Sequence, residues 1–251
     1  MVESPVSLAA ATRFAGLEKP PPPTRFALGV PPLDVVLGGG LLRARLHEIY
    51  AGGEVEMASA AGFGLLLALL GGGRSGTIVW IGHAREAAPL YPPGLVELGL
   101  DPARLLFVTA PDEPSLLRTA ADVVRSPAAG MVVVAPSPRA KPLDLTVSRR
   151  LTLFAERSGS TAILLAGCGQ EVPSAAATRW RVAAAPSRAL EADTPGMPAF
   201  ALDLVRQRGG PPSPGWRLEW DRDVAAFRSL SSGPALSGGV PAAAGERRLA
   251  G

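Results

Sequence analysis

The side chains best placed for chemistry lie in one stretch, Leu46 to Leu70, LHEIYAGGEVEMASAAGFGLLLALL. It reads as a buried strand (Leu46, Glu48, Ile49, Tyr50), a loop holding Gly52 and Gly53, and a small-residue, leucine-rich helix. That succession is the frame of a phosphate-binding loop. Backbone N–H groups turn inward on phosphate, a Lys neutralises it, and a Ser or Thr hydroxyl holds magnesium. Laid over Ala51–Ala58, the pattern G-x-x-x-x-G-K-[ST] puts Ala51 at the first glycine and Glu56 at the second. Met57 then falls at the lysine and Ala58 at the hydroxyl. A carboxylate stands where an anion would bind, and an apolar side chain stands where a cation is needed. The loop is therefore expected to be degenerate, with no ATP bound, no cofactor and no catalytic residue.

The rest of the chain offers no replacement. Its only lysines are Lys19, in a proline-rich segment, and Lys141, after a later strand. Arg74 in GGGRSG leads into the strand Thr77–Ile81 rather than into a helix, so no helix N-terminus receives phosphate there. The apolar run Met131–Val134 reads as a strand buried on both faces. A phosphate-loop ATPase ends such a strand in an Asp for magnesium; here Ala135 and Pro136 follow. His83 reads as a turn residue, and His47 lies within a strand next to Glu48, which points to the opposite face. Two histidines and one cysteine far apart suggest no metal site.

Composition sets the wider frame. At 251 residues with 47% hydrophobic content, the chain has enough material for one α/β core, while 29 Gly and 26 Pro argue for irregular ends. A net charge of +3, carried by arginine, does not itself imply nucleic acid. The lone Cys168 fits a reducing cytoplasm. No basic-then-apolar leader opens the chain, and no run reaches the roughly 18 apolar residues of a membrane span. The expected location is cytoplasmic.

Residues 1–28 hold a short apolar segment, Val6–Phe14, and then Lys19 and four consecutive prolines, which adopt extended polyproline geometry. They are expected to be an arm, with Arg13 and Phe14 as an anchor at its far end. Residues 29–228 are expected to form the core, and 229–251 a tail too poor in apolar surface to order itself. After Pro136–Pro142 a helix is expected from about Leu143 to Ser158, burying a stripe of Leu143, Val147, Leu151 and Phe154. Arg149 and Arg150 share its polar side with Glu156 and Arg157. Thr161–Ala166 and Trp180–Ala184 read as further strands. FALDLVR (200–206) and WRLEW (216–220) alternate with period two and read as an antiparallel hairpin at one sheet edge. Trp216, Leu218 and Trp220 are expected on one face, and Phe200, Leu202 and Leu204 on another.

The segment from Gly29, G-x-x-x-L-D-x-x-L-G-G-G-L-x-R-x-R-L-H-E-I, resembles the entry to the ATPase core of RecA-like recombinases. More specifically, LHE, GFGLLLALL, LYPPGLVELGLDPARLLFV and LDLTVSRRLTLFAERSGSTAILL resemble the ImuA family over roughly residues 27–225. These are the RecA-related, SulA-like-described accessory proteins of the bacterial translesion mutasome. The resemblance implies a RecA-like core with a mostly parallel sheet and helices on both faces. It also implies that Ala84 occupies the place of the glutamate that activates water in RecA. Tyr91 matches an adenine-packing tyrosine, although a helix-packing aromatic is the preferred reading. The loops 136–142 and 167–178 fall where RecA carries its single-stranded DNA loops. Arg139, Lys141, Arg149 and Arg150 are the candidate DNA or partner contacts. No aromatic platform accompanies the charge, so DNA contact is expected to be weak or indirect.

The function implied is that of a non-catalytic adaptor in SOS-induced translesion synthesis. It would link ImuB, an error-prone DnaE-type polymerase and, by the same resemblance, RecA. Three other readings compete: a SulA-like division inhibitor, a weak single-strand binder, and an ATP-binding RecA paralogue. The last would need a cation from Arg43, Arg45, Arg74 or Arg85.

Overall fold

Six parallel strands hold most of the chain's apolar runs, and three antiparallel strands widen them into one nine-stranded sheet. The computed structural model describes residues 24–72, 76–84, 90–138, 140–168, 172–188 and 196–230. In chain order the elements are β1 (Arg25–Phe26), α1 (Pro31–Val36), β2 (Leu41–Leu42), β3 (Leu46–Ala51) and α2 (Met57–Gly72). Next come β4 (Ile78–His83), α3 (Pro92–Glu97), β5 (Leu105–Ala110), α4 (Glu113–Arg125), β6 (Met131–Ala135) and α5 (Leu145–Ser158). The chain continues with β7 (Thr161–Leu165), β8 (Thr178–Ala184), β9 (Ala199–Gln207), β10 (Ser213–Asp221) and β11 (Ala226–Ser229). The strand order is β11-β10-β9-β8-β3-β7-β6-β4-β5, with β1 and β2 paired separately.

The two faces are covered differently. Helix α2 lies on one face against β3, β6, β7 and β8, and α4 and α5 lie side by side on the other. MASAAGFGLLLALLGG has no polar face, and nine of its residues are buried. Its glycines let it approach the sheet closely: a Cβ on Gly64 would stand 2.9 Å from Leu165 and 3.3 Å from Ile49. Residues Glu54–Gly72 are long and apolar enough to cross a membrane by composition alone, with mean hydropathy 1.6, but packing on the sheet accounts for that apolarity. On this face Phe63 meets Trp180, Phe200 and Phe227 at centroid distances of 6.0, 5.7 and 5.4 Å. The opposite core joins Leu46, Ile81, Val132, Val134 and Leu164 of the sheet to Leu116, Ala120, Val124, Leu151 and Ala155 of the helices. Asp112 and Asp144 cap α4 and α5, accepting from the Ser115 and Val147 N–H groups at 2.7 and 2.8 Å.

Four expectations are corrected by these contacts. The folded core begins by Thr24 rather than at residue 29. Phe26 and Leu28 are buried, and the Leu28 carbonyl accepts the Phe227 N–H at 2.9 Å. The C-terminal hairpin is part of a four-strand antiparallel run, β8–β9–β10–β11. Its two apolar rows share one face, because Leu218 pairs with Phe200 and Trp216 with Leu202, and directly opposed residues point the same way. Phe200, Leu202, Leu204, Leu218 and Trp220 all enter the α2-side core, so there is no exposed aromatic face here. Helix α5 starts at Leu145 and buries Ser148, Leu151, Thr152 and Ala155, with Val147 and Phe154 only half-buried. The inward stripe is rotated because Ser148 and Thr152 hydrogen-bond the 172–177 loop, to the Ala175 N–H and C=O. Residues 1–23, including Arg13 and Phe14, and 231–251 lie outside the described residues.

His47 locks β3 to its neighbours. Fully buried, its Nε2 lies 2.8 Å from the Leu42 carbonyl and its Nδ1 lies 2.7 Å from the Thr178 hydroxyl. The carbonyl can only accept, so Nε2 carries the proton and Nδ1 accepts from Thr178, which in turn accepts the Trp180 indole N–H at 2.9 Å. Burial is the main force lowering its pKa from 6.5 to about 4; the Leu42 bond opposes this, and Arg45 and Arg25 add to it. Between those pH values the unfolded chain binds the proton and the folded one does not, so stability rises with pH across that window. Urea unfolding is expected to show a loss of about 2 to 3 kcal/mol between pH 7 and pH 4.5 that is absent in His47→Gln. Equal pH dependence in both proteins would refute this assignment.

Candidate functional site

The strand–loop–helix frame read from the sequence is present, with its polar groups directed elsewhere. Ala51 is buried, and its N–H goes to the Gly167 carbonyl at 3.0 Å. The Gly52 N–H goes to Val182 at 2.8 Å. Gly53 is fully extended, with φ −171° and ψ 177°, and the residues Glu54–Glu56 close a single 3-10 turn. The Glu56 N–H bonds the Gly53 carbonyl at 3.0 Å, and its carboxylate accepts the Ala184 N–H at 2.6 Å. Glu54 and Glu56 thus sit before the positive end of α2, the position that phosphate takes in a phosphate-binding loop. Met57 packs against the α2-side core, Ala58 is exposed, and Val55 projects from the turn at 90% exposure.

Among the described residues the ends of β4 and β6 carry no acid. Ala135 closes β6 and packs on the core, and Ala84 follows β4 with its N–H on the Ala110 carbonyl at 2.8 Å. His83, expected in a turn, is the last residue of β4 and lines a cavity of about 510 Å³. Glu113, Ser137, Lys141 and Asp144 also line that cavity. Of the substitute cations, Arg43 and Arg45 are committed before β3, at the strand end opposite the glycine loop. Arg43 donates to the Gly71 carbonyl at the end of α2 and lies 5.2 Å from the Phe26 ring, while Arg45 pairs with Glu156 at 3.4 Å. Arg74 and Arg85 are outside the described residues. Among the described residues no cluster of His, Cys, Asp or Glu could hold a metal ion.

The candidate contact residues divide. Lys141 is exposed in the loop before α5, and Arg149 and Arg150 are exposed on that helix. The Arg150 guanidinium stands 6.0 Å from the Phe154 ring. Arg139 and Gln170 are outside the described residues. Tyr91 is not the packing aromatic expected: it is 72% exposed at the N-cap of α3.

Sequence reasoning missed the polar centre beside residues 140–143 and Ser174. Glu48 and Arg179 are buried at 2% and 6% exposure and pair at 2.9 Å. The Tyr50 hydroxyl donates to the same Glu48 oxygen at 3.0 Å, the Ser174 hydroxyl donates to the other, and Arg179 also donates to the Tyr50 oxygen. Burial, and then the Glu48 charge, push the Tyr50 hydroxyl up to about 12. Burial works against the Arg179 charge, but Tyr50 and Glu48 outweigh it and hold its pKa above the ordinary value. The only sequence signal was a glutamate within the strand stretch LHEIYA, which needs a partner to be buried.

No family model matches the chain. Over 220 residues it is 34% identical to Protein ImuA of Caulobacter vibrioides strain NA1000 / CB15N, covering 82% of this chain and 86% of that protein. Protein ImuA of strain ATCC 19089 / CIP 103742 / CB 15 matches to the same extent. The chain belongs to the ImuA family. As an ImuA-family protein it carries the strand, glycine loop and helix together with the latched Glu56.

The buried network gives a test. Arg179→Met leaves an unpaired carboxylate at Glu48 and is expected to cost about 3 to 5 kcal/mol, read as a lower urea midpoint at unchanged slope. The double variant Glu48→Gln, Arg179→Met leaves no ion behind and is expected to lose less than the single one. A single variant as stable as the wild type would sink the claim that this pair is desolvated and mutually dependent.

Proposed function

We propose that this chain is a non-catalytic, cytoplasmic adaptor of damage-induced translesion synthesis, built on a RecA-like core whose nucleotide loop has been given over to structure. It joins ImuB to an error-prone DnaE-type polymerase, and a contact with RecA belongs to the same reading. Membership of the ImuA family supports the mutagenesis setting. The observation that carries the non-catalytic part is the Glu56 carboxylate bonded to the Ala184 N–H in front of α2. A triphosphate brought to that loop meets two carboxylates and no lysine, and each like-charge approach raises its cost.

The mostly parallel sheet, the glycine loop after its central strand and the helices on both faces support the RecA-like core. Lys141, Arg149 and Arg150 give some positive charge to the α5 side, without a stacking ring, which supports at most weak and salt-sensitive DNA contact.

The experiment has two arms on the full chain. Purified with tagged ImuB, the chain is expected to be retained through washing, and titration calorimetry with magnesium and ATP is expected to give no saturable heat. Failure to co-purify with ImuB removes the adaptor role. Micromolar nucleotide binding removes the claim that the loop has lost its ligand.

A further inference from the structure

Helices α4 and α5 lie side by side on one face of the sheet, and the seam between them is not closed. In α4, Leu117, Ala121 and Arg125 recur at every fourth residue and share a face; in α5, Val147, Arg150 and Phe154 do so at intervals of three and four. These two faces meet, because the Arg125 guanidinium lies 4.5 Å from the Phe154 ring. Leu117, Val147 and Phe154 pack on the core beneath yet stay half-buried. At the N-terminal ends of both helices, Leu117 and Val147 pass into the cavity of about 510 Å³ beside His83. The seam is a half-buried apolar trough with a cavity at one end.

Its two ends differ in charge. Asp112, Glu113 and Asp144 gather at the N-terminal end, where Lys141 and His83 are the basic groups among the described residues. Further along, Arg118, Arg125, Arg149, Arg150 and Arg157 all stand exposed. The acids among them are already paired, Asp122 with Arg125 at 3.7 Å and Glu156 with Arg45 at 3.4 Å. Among the described residues Arg118, Arg149, Arg150 and Arg157 are in no ion pair. The Phe154 ring carries two guanidinium groups, Arg125 at 4.5 Å and Arg150 at 6.0 Å, so it supports two planar donor forks and is not free as a platform for a base. Leu153 beside it is 42% exposed and widens the apolar strip.

These features choose the occupant. A phosphate backbone would find arginines here but nothing to set against the apolar floor, and its bases would find no free ring. A helix fits the trough between two side-by-side helices, reading it with apolar anchors spaced at three and four residues. We infer that the α4–α5 seam is a docking groove for an amphipathic helix of a partner protein, with leucine-like residues on the face it buries and carboxylates over Arg125 and Arg150. A carboxylate takes a guanidinium fork through two parallel hydrogen bonds, and the apolar floor beside them keeps water out. Any protein carrying such a helix meets the requirement, ImuB or another.

Fluorescence anisotropy of the labelled, amidated peptide EELLEELLEELLEE against the full chain tests the inference. Saturable binding is expected, weakened at least about tenfold by Arg125→Glu and by Arg150→Glu. A peptide of equal charge with glutamine at every leucine position is expected to bind at least about tenfold more weakly. Both arginines are exposed, so circular dichroism and melting temperature should stay at wild-type values, and if one variant fails to fold the other carries the test. Absence of binding overturns the inference. So does binding indifferent to both substitutions, or equal binding of the leucine-free peptide, which would mark a general polyanion surface. An oligothymidylate that displaces the peptide at lower concentration assigns the seam to nucleic acid, and a dimer of the chain broken by Arg150→Glu assigns it to a second copy; either result overturns it too.

Discussion

The constraint behind the whole fold is that β3 is enclosed on every side yet carries three polar side chains. All six of its residues are buried, with β7 and β8 on its two edges and helices over its faces. His47 must therefore stay neutral and bonded at both nitrogens, and Glu48 must find a cation and donors within the protein. Those demands reach across the chain. They fix Thr178, Arg179 and Ser174 against β3 and so set how β8 and the loop before it lie on the central strand. Specificity of this kind comes from polar groups that tolerate one arrangement; the surrounding apolar packing supplies most of the stability.

Much of this was legible in the amino acids. Runs such as MVVV and TAILL are continuous because both sheet faces are covered, and they read as buried parallel strands. FALDLVR and WRLEW alternate and read as a hairpin, but the face shared by their apolar rows depends on the pairing of Leu218 with Phe200, which no local pattern encodes. The same holds for Arg179. An arginine in a strand reads as surface until its partner, 131 residues earlier, is known. Strands β1 and β2 are two residues each and are defined by each other, with Gly40 at φ +110° letting the Phe26 carbonyl pass within 2.2 Å of where a Cβ would stand.

The candidate nucleotide loop was legible by subtraction. The missing lysine, hydroxyl and acids were visible in Met57, Ala58, Ala84 and Ala135. The partner of Glu56 was not, because its carboxylate and the Ala184 N–H stand 128 positions apart in the chain. Substitution of the motif residues alone is compatible with a loop left slack. The bonds of Ala51, Gly52 and Glu56 describe a loop tied to β8 and to the segment after β7.

That tie has a temporal consequence. Proteins that sense a terminal phosphate alternate between two loop arrangements, and each round of cleavage acts as a clock that resets their partners. Here the loop is tied to β8 by the chain's own carboxylate. On the proposed reading the complexes have no internal timer. Their lifetimes follow from dissociation rates, and their number follows from how fast the cell makes and destroys the subunits.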